Sequence, residues 1–385
     1  MEPLITDFQI TRFEYLRDRV IGDAQVKSTV HHMGVLELTT SNGHTGTGFF
    51  VSLFHALPPL AELKRQFADE VYATLRGHNP FILMNRVSRP RGGNRVQPTR
   101  FAQAIDQALW DLQGQELGLP LYRLLGGTQP KVPVYASGLD FHLSDEAFTG
   151  LFQHAVNLGF RAFKMKVGHP SLEWDLERVG RLRGVVGKDA AIMVDANESW
   201  TPKEAIRRAS AYHSAGFDIL WIEDPCLRDD YDGLSHVVSS VDFCFINTGE
   251  YLDLSGKQRL LQHGAVDILN LHGHISESVE AARLAADRGI PVSIGNTPVE
   301  IGVHLAAALP EVMGMEYSFL NYDHMLEQPI RIEDGFAYVP DEPGHGLRLS
   351  DRARATYARP IPLTPEELAS DPPVHPRLGF VSPKP

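Results

Sequence analysis

An α/β fold, a (β/α)8-type barrel carrying a smaller α+β capping region, is what this sequence predicts, and three observations predict it. Between about residues 130 and 320 one theme recurs eight times: a short β-rich apolar run, a polar or glycine-containing turn, then a stretch of helical periodicity. The runs start roughly 22 to 30 residues apart, the length of one strand, one crossover helix and two short loops. A barrel alone takes roughly 250 residues, so a chain of 385 has room for a second region. A doubly wound open sheet would show fewer units and a glycine-rich phosphate turn after its first strand, and no such turn is present.

In chain order, residues 1–127 read as the N-terminal α+β cap, with strands over Gly34–Thr39 and Thr45–Val51 and helices over Leu60–Arg76 and Thr99–Gly118. Residues 128–325 read as the barrel. Its strands are expected at Val132–Ser137, Ala162–Val167, Ala191–Asp195, Ile219–Glu223, Phe243–Thr248, Val266–His272, Val292–Asn296 and Gly314–Phe319. Residues 326–385, which include Gly335–Val339 and Gly346–Leu349, return to the cap. A proline-rich tail follows, its last two dozen residues expected as an extended surface strap.

Composition removes several classes of function. With 43% hydrophobic and 22% charged residues the chain has material for a large core. A formal charge of −12, spread along the chain, argues against a nucleic-acid partner. Cys226 and Cys244 lie far apart without metal-ligand spacing and are expected as buried free thiols in a reducing compartment. The first twenty residues mix acids, bases and apolar side chains, unlike a signal peptide, and no run of roughly 18 apolar residues occurs. A cytoplasmic location, away from membranes, is the expectation.

In a parallel barrel functional side chains gather at the C-terminal ends of the strands. Lys166 ends strand two, Asp195 strand three and Glu223 strand four, and Glu250 follows strand five. The gaps of 29, 28 and 27 residues, one βα unit each, set the four groups around one rim. Alternation puts Lys164 and Lys166 on the same face of their strand. Three carboxylates converging in a low-dielectric mouth repel unless a cation compensates them. An all-oxygen set suits Mg²⁺, is compatible with Mn²⁺ and disfavours zinc. A plain salt-bridge network is the alternative, but it does not explain why the four groups recur at the same place in consecutive units.

Lys164-Met165-Lys166, Val194-Asp195-Ala196-Asn197, Ile222-Glu223-Asp224-Pro225 and Gly249-Glu250 resemble the mandelate racemase and muconate lactonizing branch of the enolase superfamily. So do Ala108-Leu109-Trp110-Asp111-Leu112 and Leu124-Leu125-Gly126-Gly127, similar to the family's entry into the barrel. The resemblance implies a cap built from both ends of the chain, with mobile loops near Arg17–Thr29 and Thr45–Leu53. It implies Mg²⁺ held by Asp195, Glu223 and Glu250, a small-molecule carboxylate substrate, and a homo-oligomer. Lys166 would be the base that removes a proton α to the carboxylate, with Lys164 lowering its pKa. A weakly acidic α-proton needs such help, because its loss places charge on the carboxylate oxygens.

The departures bear on the reaction. The mandelate racemase pattern ends strand six in Asp and strand seven in His; here those ends are His272 and Asn296-Thr297, and the lysine that the muconate lactonizing pattern puts on strand six is absent. His272 is a candidate general acid opposite Lys166, His274 a weaker one, and Glu316 a candidate partner of the substrate carboxylate. Asn197, Asp224, Asn296 and Arg19 are candidates to touch substrate or support the ligands. Arg17, His31 and His32 are candidate substrate readers in the cap. One base with a different, single acid suits dehydration of a hydroxylated sugar acid to a 2-keto acid. Racemisation, epimerisation or cycloisomerisation is the alternative reaction, and a non-catalytic binding barrel the alternative class.

Overall fold

The computed structural model describes residues 2–87, 100–320 and 322–370, with backbone alone for 84–87. The chain opens with an antiparallel sheet of β1 (Ile5–Gly22), β2 (Lys27–Thr40) and β3 (Thr45–Ser52). β1 is far longer than the sequence suggested, because Arg12, Glu14, Arg17, Asp18 and Arg19 are buried in it and break the apolar alternation that marks a strand. Most of the Arg17–Thr29 stretch, expected as a loop, is therefore β-hairpin, with only residues 23–26 forming the turn. Thr45–Leu53 is likewise strand up to Ser52. The single helix expected over Leu60–Arg76 is broken into Leu60–Phe67, a π-turn at Ala68–Tyr72 and Ala73–Leu75.

Helix Ala102–Leu117 joins the cap to the barrel. A Cβ at Gly48 of β3 would lie 1.8 Å from the Ala104 carbonyl oxygen, so glycine is what lets sheet and helix approach. Gln107 accepts the Phe49 N–H at 2.8 Å and donates to the Gly273 carbonyl at 2.8 Å, spanning cap and barrel with one side chain. Asp111 accepts the N–H groups of Thr47 and His345, each at 2.9 Å, which ties in the C-terminal segment as well.

The barrel strands are β4 (Lys131–Ser137), β5 (Ala162–Lys166), β6 (Ala191–Asp195), β7 (Ile219–Glu223), β8 (Phe245–Thr248), β9 (Ile268–Leu271), β10 (Val292–Ile294) and β11 (Val312–Tyr317). All pair in parallel with their neighbours, and β11 closes on β4 through Met315↔Val134. Ser144, Ser171, Thr201, Asp230 and Asp253 cap five of the crossover helices, each side chain accepting an N–H of the first turn. Tyr135 and Trp221 meet edge to face at 5.3 Å inside the barrel, beside Met193 and Ile268, and form a packed floor.

The hairpin of β12 (Arg331–Glu333) and β13 (Phe336–Tyr338) adds antiparallel to the start of β4. The chain then returns to the cap: the Arg359 N–H donates to the Arg12 carbonyl at 2.8 Å, and Arg354 pairs with Glu37 at 2.7 Å. Gly346–Leu349 is not a strand and makes only a bridge between Leu326 and Leu349. Of the expected strap, Pro365–Leu368 is a helical turn, and residues 371–385 lie outside those described. Both cysteines are free; Cys226 is buried as expected, Cys244 only partly so, and burial pushes both thiols up to about 12. Among the described residues no helix is long and apolar enough to cross a membrane.

Candidate active site

The register Lys166↔Asp195↔Glu223↔Asn247 across β5, β6, β7 and β8 sets the polar strand ends at one level. Glu250 comes three residues beyond Asn247, after Gly249, whose φ of 116° turns the chain back over the mouth. The same sharp turning recurs around the rim. Leu139, Asn197, Glu198, Asp224, Val299, Glu300 and Phe319 all have positive φ just after barrel strands, a strain of roughly 1–3 kcal/mol each that concentrates at functional sites.

Two buried ammonium groups hold the acids. Lys164 Nζ lies 2.5 Å from Glu223 Oε1, 3.0 Å from Glu316 Oε2 and 3.5 Å from Asp195 Oδ2; Lys166 Nζ lies 2.5 Å from Asp195 Oδ2. Burial opposes charge on Asp195, but the two lysines outweigh it and hold that carboxyl below its ordinary range. Burial pushes Glu223 well above its range despite Lys164. For Lys166, burial and Lys164 both favour the neutral amine, as the sequence suggested, yet the Asp195 ion pair prevails and raises its pKa.

As the side chains stand, no three His, Cys, Asp or Glu groups form a metal cluster among the described residues, since the lysines occupy oxygens that a cation would take. The donor set nevertheless fits a hard divalent ion: three carboxylates at successive strand ends and no nitrogen or sulfur. Glu250 points the same way. Burial, and next Glu316, push it up to about 8, and among the described residues it receives no hydrogen bond or ion pair.

A cavity opens over these groups. Lys164, Lys166, Asp195, Glu223, Glu250, Glu316, Asn197 and Asn296 all line it. From above, Asp23, Gln25 and Val26 of the β1–β2 turn close it, together with Leu53 and Phe54 beyond β3. Gln25 donates to the Asn197 carbonyl at 2.5 Å, which fastens the turn to the rim.

Models of two domain families match the chain: the enolase C-terminal domain-like family over residues 148–353, and the N-terminal domain of mandelate racemase and muconate lactonizing enzyme over 24–126. The chain belongs to the enolase superfamily. Within it, a 3,6-anhydro-alpha-L-galactonate cycloisomerase of Streptomyces coelicolor is 35% identical over 264 residues, 67% of this chain and 71% of that protein. A crystal structure from Mesorhizobium loti, provisionally named a mandelate racemase, superposes with a TM-score of 0.91 at 48% identity, covering 96% of this chain and 98% of the other. An L-talarate dehydratase of Polaromonas sp. JS666, solved with Mg and L-glucarate, gives 0.81 at 27% identity over 93% and 98%. Further superfamily relatives include an arabinonate dehydratase and dipeptide epimerases.

Several of the candidate residues do not line this superfamily cavity. His272 is not among the lining residues, its ring lies 5.4 Å from that of Tyr251, which is, and burial, Lys257 and His274 push it down to about 4. His274 caps helix Ile275–Ala286 and pairs with Asp106 at 3.4 Å. Asp224 accepts from Thr248 at 2.5 Å and pairs with Arg228 at 3.2 Å, beneath the surface of the cavity. Arg19 donates to the Phe319 carbonyl at 2.5 Å and Arg17 to the carbonyls of Val30 and Leu320, so both clamp the cap onto the barrel. His31 lies between Tyr15 and Tyr322, and His32 pairs with Glu14 at 3.1 Å.

Other residues at the site escaped sequence reasoning. Asp140, pushed up to about 6 by burial, accepts the Lys166 N–H at 3.3 Å. Asn270 is fully buried on β9 with both amide atoms unpartnered. Its position two residues before His272, on the inward parity, was the available signal. Glu198, Arg228 and Tyr251 line the cavity from loops, where no periodicity marks them.

Proposed function

We propose that this protein uses Mg²⁺ and Lys166 to remove the proton α to a carboxylate, and that its reaction is dehydration of a sugar acid to a 2-keto acid. The observation that carries the reading is Lys166 itself: its ammonium lies on a cavity, 2.5 Å from Asp195, beside three carboxylates suited to a divalent ion. Asp195, Glu223 and Glu250 would hold the ion, which, when bound, supplies positive charge to the substrate carboxylate. Once the acids are so compensated, Lys164 favours the neutral form of Lys166 by like charge. Neutral Lys166 takes the α-proton, and the bonding pair moves into the carboxylate system. The new ammonium then returns that proton to the departing β-hydroxyl. Water leaves, and the resulting enol tautomerises to the 2-keto acid.

Dehydratases of arabinonate and of talarate and galactarate among the relatives support this reading. A second reading, cycloisomerisation or epimerisation, is favoured by the Streptomyces coelicolor relative and by the epimerases. The deciding test incubates the purified protein and Mg²⁺ with aldonic, aldaric and uronic acids and detects 2-keto acid with semicarbazide. Keto acid formed by the native protein and not by Lys166→Ala is the expected result. Deuterium exchange at the α-carbon, with both stereoisomers recovered and no keto acid, would sink dehydration in favour of the second reading.

A further inference from the structure

We infer that the substrate is a monoanion, a polyhydroxy acid whose far end is neutral, and that Glu198 and Arg228 exclude diacids. This inference rests on the acid-sugar reading above and deepens it.

Charge in the cavity is the starting point. Among the described residues its lining carries three cations, Lys164, Lys166 and Arg228, against six carboxylates, Asp23, Asp195, Glu198, Glu223, Glu250 and Glu316. A divalent ion narrows the excess of negative charge without abolishing it. Lys164 and Lys166 pair here with Asp195, Glu223 and Glu316, and in the proposed reaction Lys166 is the neutral base with Lys164 beside it at the reacting end, so neither is left for the far end of the substrate. Only Arg228 remains for a second substrate carboxylate, and it is already neutralised twice. Its Nε and backbone N–H both donate to Glu198 Oε1, at 2.7 and 2.8 Å, and Nη2 pairs with Asp224 at 3.2 Å. With its guanidinium over the Tyr251 ring at 4.8 Å and its side chain 15% exposed, Arg228 has little freedom to turn toward another anion.

A second carboxylate arriving here would meet Glu198, whose side chain is only 23% exposed, at a range where like charges repel. Hydroxyl groups meet the opposite situation. A hydroxyl can donate to Glu198 and exchange hydrogen bonds with Asn197, Asn296 and Tyr251, all of which line the cavity. The same surface that rejects an anion thus satisfies a polyol tail.

The test compares gluconate with glucarate, galactonate with galactarate, and arabinonate with arabinarate. Members of each pair differ only in whether the far carbon is an alcohol or a carboxylate. Calorimetric titration of the native protein in excess Mg²⁺ gives affinity, and the semicarbazide assay gives kcat/KM. For at least one pair the monoacid is expected to bind about tenfold tighter or better. Glu198→Gln keeps the acceptor oxygen for Arg228 while removing one negative charge, and is expected to move the diacid-to-monoacid affinity ratio about tenfold toward the diacid. Diacids binding as tightly as monoacids, or no acid binding at all, overturns the inference. An unchanged ratio in folded Glu198→Gln overturns the role of Glu198 and Arg228, and if that variant does not fold, the native pairs decide. Preferential monoacid binding without keto acid from any compound removes dehydration and leaves the charge inference standing.

Discussion

Lys166 and Asp195 share the shortest ion pair on the rim with Lys164 and Glu223, and each side chain has a distinct task in the proposed chemistry. Replacing Lys166 by Ala is expected to lower kcat about 10³-fold, within the range usual for losing a general base, while calorimetry still detects acid binding. Turnover equal to the native protein would remove Lys166 as the base. Gly295 guards Glu250: a Cβ there would lie 2.9 Å from Asn270 Oδ1 and 3.1 Å from Glu250 Oε1. Gly295→Ala should raise the Mg²⁺ concentration needed for half-maximal activity about tenfold, as displaced support of a metal ligand commonly does, with the melting temperature little changed. Metal titration of activity checks it, and an unaltered midpoint would argue against Glu250 as a ligand.

At the scale of elements, helix Ala102–Leu117 matters more than its place in the cap suggests, because Gln107 and Asp111 bond the cap sheet, the barrel and the C-terminal segment at once. The contact of β3 with this helix tolerates no added carbon at Gly48. Gly48→Ala should therefore cost about 1–3 kcal/mol, the usual penalty of overpacking, and lower the melting temperature by several degrees. Because β3 leads directly into Leu53 and Phe54 on the cavity wall, KM should rise in the same variant. A melting curve and a kinetic run on one preparation test both. The β1–β2 turn acts in a similar way, fastened to the rim through Gln25 and Asn197.

For the whole molecule, the proposed Mg²⁺ site would set metal and proton in competition at the barrel mouth. Glu250 is raised from 4.5 to about 8 by burial and by Glu316, so it favours the folded state in its protonated form. That contribution is complete below the ordinary value and is lost as pH climbs through about 8. His272 and His32, both pushed down to about 4 by burial, act in the opposite sense, with losses as pH falls below 6.5. Chelator-treated protein should therefore lose stability between about pH 6.5 and 8. Mg²⁺ should restore more of it at the upper end, by about 2.7 kcal/mol when present at a hundredfold excess over Kd. Melting temperatures measured with and without Mg²⁺ across that window provide the check. A Mg²⁺ effect that shrinks as pH rises would contradict this account of Glu250.

The eight-strand barrel was legible from the chain because each strand is an apolar run of distinct length and each βα unit repeats at nearly constant spacing. The carboxylates were legible for the same reason: strand ends recur with the period of the unit, so Lys166, Asp195, Glu223 and Glu250 could be set on one rim by counting. β1 was not, since several of its buried arginines bond backbone distant in sequence, as when Arg12 donates to the Leu57 carbonyl and Arg19 to the Phe319 carbonyl. Nor could counting separate His272 from Tyr251. Both follow barrel strands, their rings lie 5.4 Å apart, and only the loop conformation leaves Tyr251 rather than His272 on the cavity. Periodicity encodes direction along a strand, whereas access to a cavity depends on side chains from several loops competing for the same space.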